Sequence, residues 1–297
     1  MQTRPIYIVD AFTRTALQGN PAGVMPHARG LGVDTMLAVA REVNASETAF
    51  LLPSREADVK IRFFTPTQEV PSCGHALVAA LIVMAELGEV HITGEFARVH
   101  VETGVGVLPA DLVRTAEGLR VDLTQAPPAF RPCATPADHL MEVLGADPDD
   151  LRTDLPLELA YTGLWHLLVP LKSVDVLDGL LPDFRALASL NQELGVLTTH
   201  VFVEGDEVFH CRDFSPVAGI DEDPVTGTAS GALGAYLVRH RVARPGSPIT
   251  FHQGEACGRP GTVRVVVSGA PGEPGVVVVG GHALVSLRGQ IRLGEMG

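Results

Sequence analysis

The sequence predicts an α+β protein of two pseudo-symmetric lobes, each a curved layer of strands wrapped around one central helix. Three observations carry that reading. The chain has 297 residues, about twice a typical domain of roughly 150, so two cores of useful size can form. It repeats itself weakly: Arg62-Phe63-Phe64-Thr65-Pro66 is matched 150 residues later by Arg212-Asp213-Phe214-Ser215-Pro216. Each copy then leads into a glycine and a helical run whose apolar residues keep to no single face.

The elements follow in order. A helical pattern opens at Asp34 with Leu37, Ala40 and Val43 on one face, and a strand runs from Thr48 to Leu52. A polar turn over 53–57 precedes a second strand, Val59 to Phe64. In the other copy Asp183 opens a helix through Leu187 and Leu190, Thr199 to Val203 is the strand, residues 204–207 turn, and Val208 to Phe214 returns. Cys73-Gly74-His75 feeds a helix over 76–87, and Thr226-Gly227-Thr228 feeds one over 229–239. In the first of these, Ala76 to Met84 is apolar on every side, and such a helix must be enclosed by protein. Short stretches between Gly and Pro, over 99–108, 263–267 and 276–279, supply the enclosing strands. A repeat of two long units is not a solenoid, whose period is about 20–50 residues. The Pro- and Ala-rich run from Gln125 to Pro136 marks the boundary. We therefore expect one lobe over 1–125, joined by a C-terminal strand over 283–297, and another over 126–282.

Composition narrows the function. A chain 46% hydrophobic and 19% charged folds. Its net charge of −13, with no basic run, argues against nucleic acid and against anionic membrane surfaces as partners. The longest wholly apolar stretch, Ala76 to Ala85, is about half of the roughly 20 residues a membrane helix needs. The amino terminus runs straight into a strand with no apolar signal core, so the expected location is cytoplasmic. Cys73, Cys133, Cys211 and Cys257 form no Cys-x-x-Cys, which points to neither a zinc knuckle nor a disulfide framework.

If both central helices are buried, their amino termini are where free backbone N–H groups and the positive dipole end meet a ligand. Pseudosymmetry then predicts one cleft for a small carboxylate, built from Cys73, Gly74 and His75 on one side and Thr226, Gly227 and Thr228 on the other. The competing reading is that Gly74 and Gly227 merely permit tight turns. Titratable residues that break the repeat are the better chemical candidates, because structural residues recur in both copies. Glu47 has Leu197 and Thr198 at the matching positions, His75 matches Thr228, and Asp223 precedes Pro224 just before the second glycine. Together Glu47, His75 and Asp223 form a proton-transfer set. Taken singly, they also read as a surface acid, a packed core histidine and a helix cap, with Asp221 and Glu222 as solvated loop charges. Glu47 as the base implies partial burial against apolar neighbours such as Phe12 or Phe64.

Several motifs then resemble one family. Val9-Asp10-Ala11-Phe12, Gly19-Asn20-Pro21-Ala22-Gly23-Val24, Ala45-Ser46-Glu47-Thr48, Arg62-Phe63-Phe64-Thr65-Pro66 and Cys73-Gly74-His75-Ala76 look like the phenazine-biosynthesis PhzF-like family. So do Glu222-Asp223-Pro224-Val225-Thr226-Gly227-Thr228-Ala229, Gln253-Gly254-Glu255, Gly258-Arg259-Pro260 and Val279-Gly280-Gly281-His282-Ala283. The resemblance spans almost the whole chain. It implies the diaminopimelate-epimerase-like fold, a β-barrel-like sheet around a central helix in each lobe. It also implies a cofactor-independent isomerase, usually a homodimer, that moves a proton between carbons. The family's acid/base role falls on Glu47, assisted by His75, Asp223 and Thr228, the last in place of the commoner serine.

Racemases of the related fold use two facing thiols, one at the start of each helix. Here Cys73 takes the first position but Thr226 the second, and a hydroxyl is too weak a base for that relay. Cys73 is then a pocket wall. The expected cofactor is none: Gly-x-Gly-x-x-Gly, Gly-Lys-Ser/Thr and His-Glu-x-x-His are all missing. No metal is expected either, since the eleven histidines show no ligand spacing and His210 and Cys211, adjacent on a strand, point to opposite faces. A C–C bond hydrolase with Glu47 or Asp223 activating water, an epimerase, and a binding or scaffold protein without chemistry stand as alternatives.

Overall fold

The computed structural model describes residues 2–294. The last three residues of the strand expected over 283–297 lie outside them. The chain divides into two compact units, the first running to Thr124 and resuming at Gly280, the second spanning Gln125–Val279.

In the first unit β1 (Gln2–Ala11) pairs antiparallel with β2 (Asn20–Met25), and α1 (Val33–Val43) carries the chain over to β3 (Glu47–Leu52), parallel to β2. α1 ends where Asn44 takes a left-handed conformation at φ 53°, a cap that asparagine tolerates. β3 returns as β4 (Val59–Phe64), which pairs antiparallel with the short β5 (Glu69–Val70) and parallel with β6 (Phe96–Thr103). Between β5 and β6 lies α2 (Gly74–Glu86), with Ala76 through Met84 all buried. β6, β7 (Gly106–Thr115) and β8 (Gly118–Thr124) form an antiparallel meander. α2 packs on β1, β2, β3 and β8, so strands enclose it as its all-round apolar surface requires.

The single strand expected over 99–108 is two. Thr103 pairs with Gly106 across a tight turn, closed by the Thr103 hydroxyl donating to the Gly106 carbonyl at 2.9 Å. Gly106 sits at φ 114°, and a Cβ on Gly104 would lie 2.7 Å from Pro71 Cα, so both positions need glycine.

The second unit repeats this wiring. β9 (Ala129–Pro132) lies within the Pro- and Ala-rich run and pairs with β10 (Glu158–Tyr161); α3 (Ala137–Leu144) intervenes. β10 pairs antiparallel with β11 (Trp165–Pro170), and α4 (Val174–Gly179) and α5 (Phe184–Leu194) cross over to the parallel β12 (Thr198–Glu204). Asp183 caps α5, its Oδ1 accepting from the N–H groups of Arg185 and Ala186 at 3.0 Å each. β12 returns as β13 (Phe209–Phe214), which pairs antiparallel with β14 (Glu222–Asp223) and parallel with β15 (Pro248–Gln253). Between β14 and β15 lies α6 (Gly227–Arg239), buried from Ala229 through Val238 and packed on β10, β11 and β16 (Gly261–Ala270). The last strand, β17 (Glu273–Leu293), leaves this unit and pairs with β1, Ala11 opposite Ala283 and Gln2 opposite Leu293.

Residues that recur are structural. Arg62 forks onto Glu69 at 2.7 and 2.6 Å and lies over the Phe64 ring, while Arg212 forks onto Glu222 at 2.9 and 2.8 Å and lies over Phe214. Each bidentate pair ties a short strand to its neighbour. Glu222 is therefore not a solvated loop charge: it is mostly buried on Arg212, whose Nη1 also donates to the Leu177 and Leu180 carbonyls. All four cysteines are free, and burial pushes the Cys211 thiol well up. Among the described residues no helix is long and apolar enough to cross a membrane.

Candidate active site

In the first unit, the turn after α1 and the start of α2 bring together Ser46, Glu47, Cys73 and His75. His75 Nε2 lies 3.2 Å from Glu47 Oε2 and 3.1 Å from Ser46 Oγ, and His75 Nδ1 lies 3.4 Å from Cys73 Sγ. The side chains of His75 and Glu47 are 10% and 20% exposed. Burial holds the His75 imidazole below its ordinary value of 6.5, and the Glu47 charge opposes that only in part. His75 is thus neutral at pH 7. Ser46 Oγ spends its one proton on the Pro21 carbonyl at 3.4 Å, so Nε2 carries the imidazole proton and donates it to Ser46 Oγ, and Nδ1 is left to accept from the Cys73 thiol. Glu47 Oε2 itself is buried and receives no aligned hydrogen bond, His75 Nε2 lying 3.2 Å away.

Gly74 opens α2. Its φ is not in the left-handed region, and a Cβ there would meet nothing within 4 Å, so the tight-turn reading fails for it. The glycine leaves open space in front of the helix start. α2 has no side-chain cap, and Cys73 is its N-cap residue. The first-turn N–H groups are therefore available to an anion. Glu47, Cys73 and His75 also present donor atoms within 4.8 Å of one another, a set that fits a borderline metal ion.

In the second unit, Asp223 ends β14 and Thr226, Gly227 and Thr228 begin α6. Asp223 is no helix cap: its Oδ2 accepts from Thr226 Oγ1 at 2.5 Å, and α6 has no side-chain cap. Gly227, like Gly74, is outside the left-handed region. The Thr228 carbonyl accepts from Thr162 Oγ1 at 3.1 Å. The Gln253 side chain, buried at the end of β15, braces this turn. Its Oε1 accepts from Thr226 N at 3.1 Å, and its Nε2 donates to the Asp223 carbonyl at 2.8 Å and to Thr226 Oγ1 at 3.1 Å. Gln253→Ala should leave a buried N–H without its partner and cost about 1–3 kcal/mol of stability, read as a lower urea midpoint. An unchanged midpoint would show that the brace is idle.

Sequence reasoning missed Ser46, Gln253 and a fully buried cluster on β11, β12 and β13. There Asp213 Oδ1 accepts from His200 Nδ1 and Thr198 Oγ1, both at 2.9 Å, Asp213 Oδ2 accepts from Ser215 Oγ at 3.0 Å, and His166 Nδ1 meets Thr198 Oγ1 at 2.8 Å. The signal was present. Asp213 stands where the first copy has Phe63, and His200 where it has Phe50, so both break the repeat.

The residues from 9 to 289 match the family model described as phenazine biosynthesis-like protein. The chain is 36% identical to an uncharacterised isomerase of Clostridium acetobutylicum, covering 97% of this chain and 98% of that one. It is 32% identical to the trans-2,3-dihydro-3-hydroxyanthranilate isomerase of Pseudomonas fluorescens, covering 96% and 98%. A crystal structure of a PhzF-family phenazine biosynthesis protein from Bacillus anthracis superposes with a TM-score of 0.91 at 31% identity, covering 99% of this chain and 100% of that one. With the motifs, the repeat and the fold in agreement over this length, the chain is an isomerase of the phenazine biosynthesis-like, PhzF family.

Proposed function

We propose that the protein is a cofactor-independent isomerase that moves a proton between two carbons of a small unsaturated or cyclic carboxylate, with Glu47 as the acid/base. The observation that carries this reading is the Glu47 Oε2 atom, buried beside a neutral His75 and without an aligned donor. Ionised Glu47 takes the proton from one carbon; the C–H pair moves into the adjoining double-bond system, the double bond shifts, and Glu47 returns the proton to the carbon at its far end. Atoms and electrons balance with no co-reactant. His75 packs beside the carboxylate, and the uncapped N–H groups at the start of α2 take the substrate carboxylate. The family resemblance gives Asp223 and Thr228 the assisting roles, with Thr226 Oγ1 donating to Asp223 Oδ2 at the start of α6. Homodimer formation, as the family implies, belongs to the same proposal.

The Pseudomonas fluorescens relative is named for trans-2,3-dihydro-3-hydroxyanthranilate, which makes that compound the first substrate to test. Turnover in deuterated water should place solvent deuterium on carbon, or, if the proton is carried across without exchange, substrate labelled at the donor carbon should pass its label to the acceptor carbon. A product labelled by neither route overturns the mechanism. The thiol separates this reading from a two-thiol racemase. Cys73→Ser should change the rate by less than about tenfold, against the roughly 10²–10⁴-fold that loss of an acid/base costs. A larger drop with folding intact would make the thiol the base.

A further inference from the structure

The spacing of the histidines along the chain conceals a ligand set that the sheet assembles. β13 and β15 run parallel with His210 directly opposite His252, so the two imidazoles leave the sheet on one face while Cys211, next along β13, is buried on the other. Their ring centroids are 5.9 Å apart at 90°. Glu255 follows in the turn two residues after β15 ends, and the ligand atoms of His210, His252 and Glu255 all lie within 4.8 Å of one another. A Cβ at Gly205 would sit 3.2 Å from the His210 ring at both Cδ2 and Nε2, so glycine there makes room for the imidazole. The histidines are half-buried and Glu255 is exposed, which leaves the site open to an ion from solvent.

We propose that His210, His252 and Glu255 form a binding site for a borderline divalent transition metal ion, zinc being the best fit. Two imidazoles and one carboxylate suit zinc, whereas magnesium and calcium prefer all-oxygen shells. Zinc bonds of about 2.0–2.1 Å put tetrahedral ligand atoms roughly 3.3–3.4 Å apart, and side-chain rotation closes the remaining distance. The fourth position faces water. On this proposal the ligands come from parallel strands 42 positions apart in the chain, a proximity that spacing along the sequence does not reveal.

The location has a consequence. Along β15, His252 points out to the ion while Gln253 points in to Thr226 and Asp223. The next residue, Gly254, has φ 101°, and a Cβ there would lie 2.7 Å from the Pro224 carbonyl oxygen. An ion joining β13, β15 and the Glu255 turn therefore stiffens the segment that braces Asp223.

The test is calorimetric titration of the chelator-treated full-length protein with zinc chloride, together with cobalt(II) absorption. A binding event is expected that weakens at least about tenfold in His252→Ala and in Glu255→Gln and persists in Cys73→Ser. Cobalt bound there shows d–d bands without a thiolate-to-metal band. Zinc should raise the melting temperature of the wild type but not of Glu255→Gln, which folds normally because Glu255 is exposed. The proposal fails if the wild type binds no zinc, if both variants titrate as the wild type does, or if all binding vanishes in Cys73→Ser.

Discussion

Glu47→Gln is expected to lower kcat by about 10²–10⁴-fold while leaving substrate binding nearly unchanged. The amide has the size of the carboxylate and fits beside His75 Nε2, 3.2 Å away in the wild type, so the cluster keeps its shape. What is lost is the group to which the proposal gives both the taking of the proton from carbon and its return. Within the cluster Ser46 is a hydroxyl, His75 is neutral with its Nε2 proton donated to Ser46, and Cys73 is tested separately by its serine variant. The pH profile supplies a second reading. Burial lowers the His75 value below 6.5, so protonation of His75, which would bind Glu47 as a true ion pair, should reduce kcat/KM only below that pH. In His75→Gln this contribution to the acid limb disappears. If Glu47→Gln turns over at the wild-type rate, the base is elsewhere, and Asp223 is the next residue to replace.

The sequence was most readable where one chemical requirement acts along a short stretch. A helix apolar on every side has to be enclosed, and α2 and α6 are. The repeat put Arg62 and Arg212 at matching positions and both form forked ion pairs, although the partner of the second, Glu222, reads along the chain as a solvated loop charge. It took β14 pairing with β13 to set Glu222 against Arg212. Pairing across strands is also what concealed His210 and His252, and what brought Gln253 under Thr226 from 27 positions away. The rule that chemistry breaks a repeat selected Glu47, His75 and Asp223. Applied to every position it also selects His200 and Asp213, because a buried phenylalanine in one copy and a buried ion in the other is as large a departure as that rule can register.

That buried cluster carries the largest expected effect on stability. Asp213→Ala should destabilise the protein by about 3–5 kcal/mol at pH 7, measured by urea denaturation, because it leaves His200, Thr198 and Ser215 with donors and no acceptor in a site closed to water. Asp213, His200 and His166 are all 0% exposed. Burial alone would push the Asp213 carboxyl up, but the His200 hydrogen bond and charge, with His166 and Thr198, outweigh it and hold the group below its ordinary range. Thr198 spends its one proton on Asp213, so His166 Nδ1 is the donor to Thr198 Oγ1. Burial, opposed by Asp213 and assisted by His200, lowers His166 to about 4. The pH dependence follows from the signs. Between about 6.5 and about 4 the unfolded chain binds a proton at His166 that the folded chain refuses, so stability decreases as pH is lowered across that window, by about 3 kcal/mol at most at 1.36 kcal/mol per pH unit. Asp213 acts lower down: its stabilisation is complete above the unfolded carboxylate value of about 3.9 and is lost as pH falls through its lowered folded value. His166→Asn keeps an N–H for Thr198 and removes the titration, so its urea midpoint should decline less than the wild type's between pH 6.5 and 4. Equal declines would mean that His166 is protonated in the folded protein, which its buried position against Thr198 does not allow.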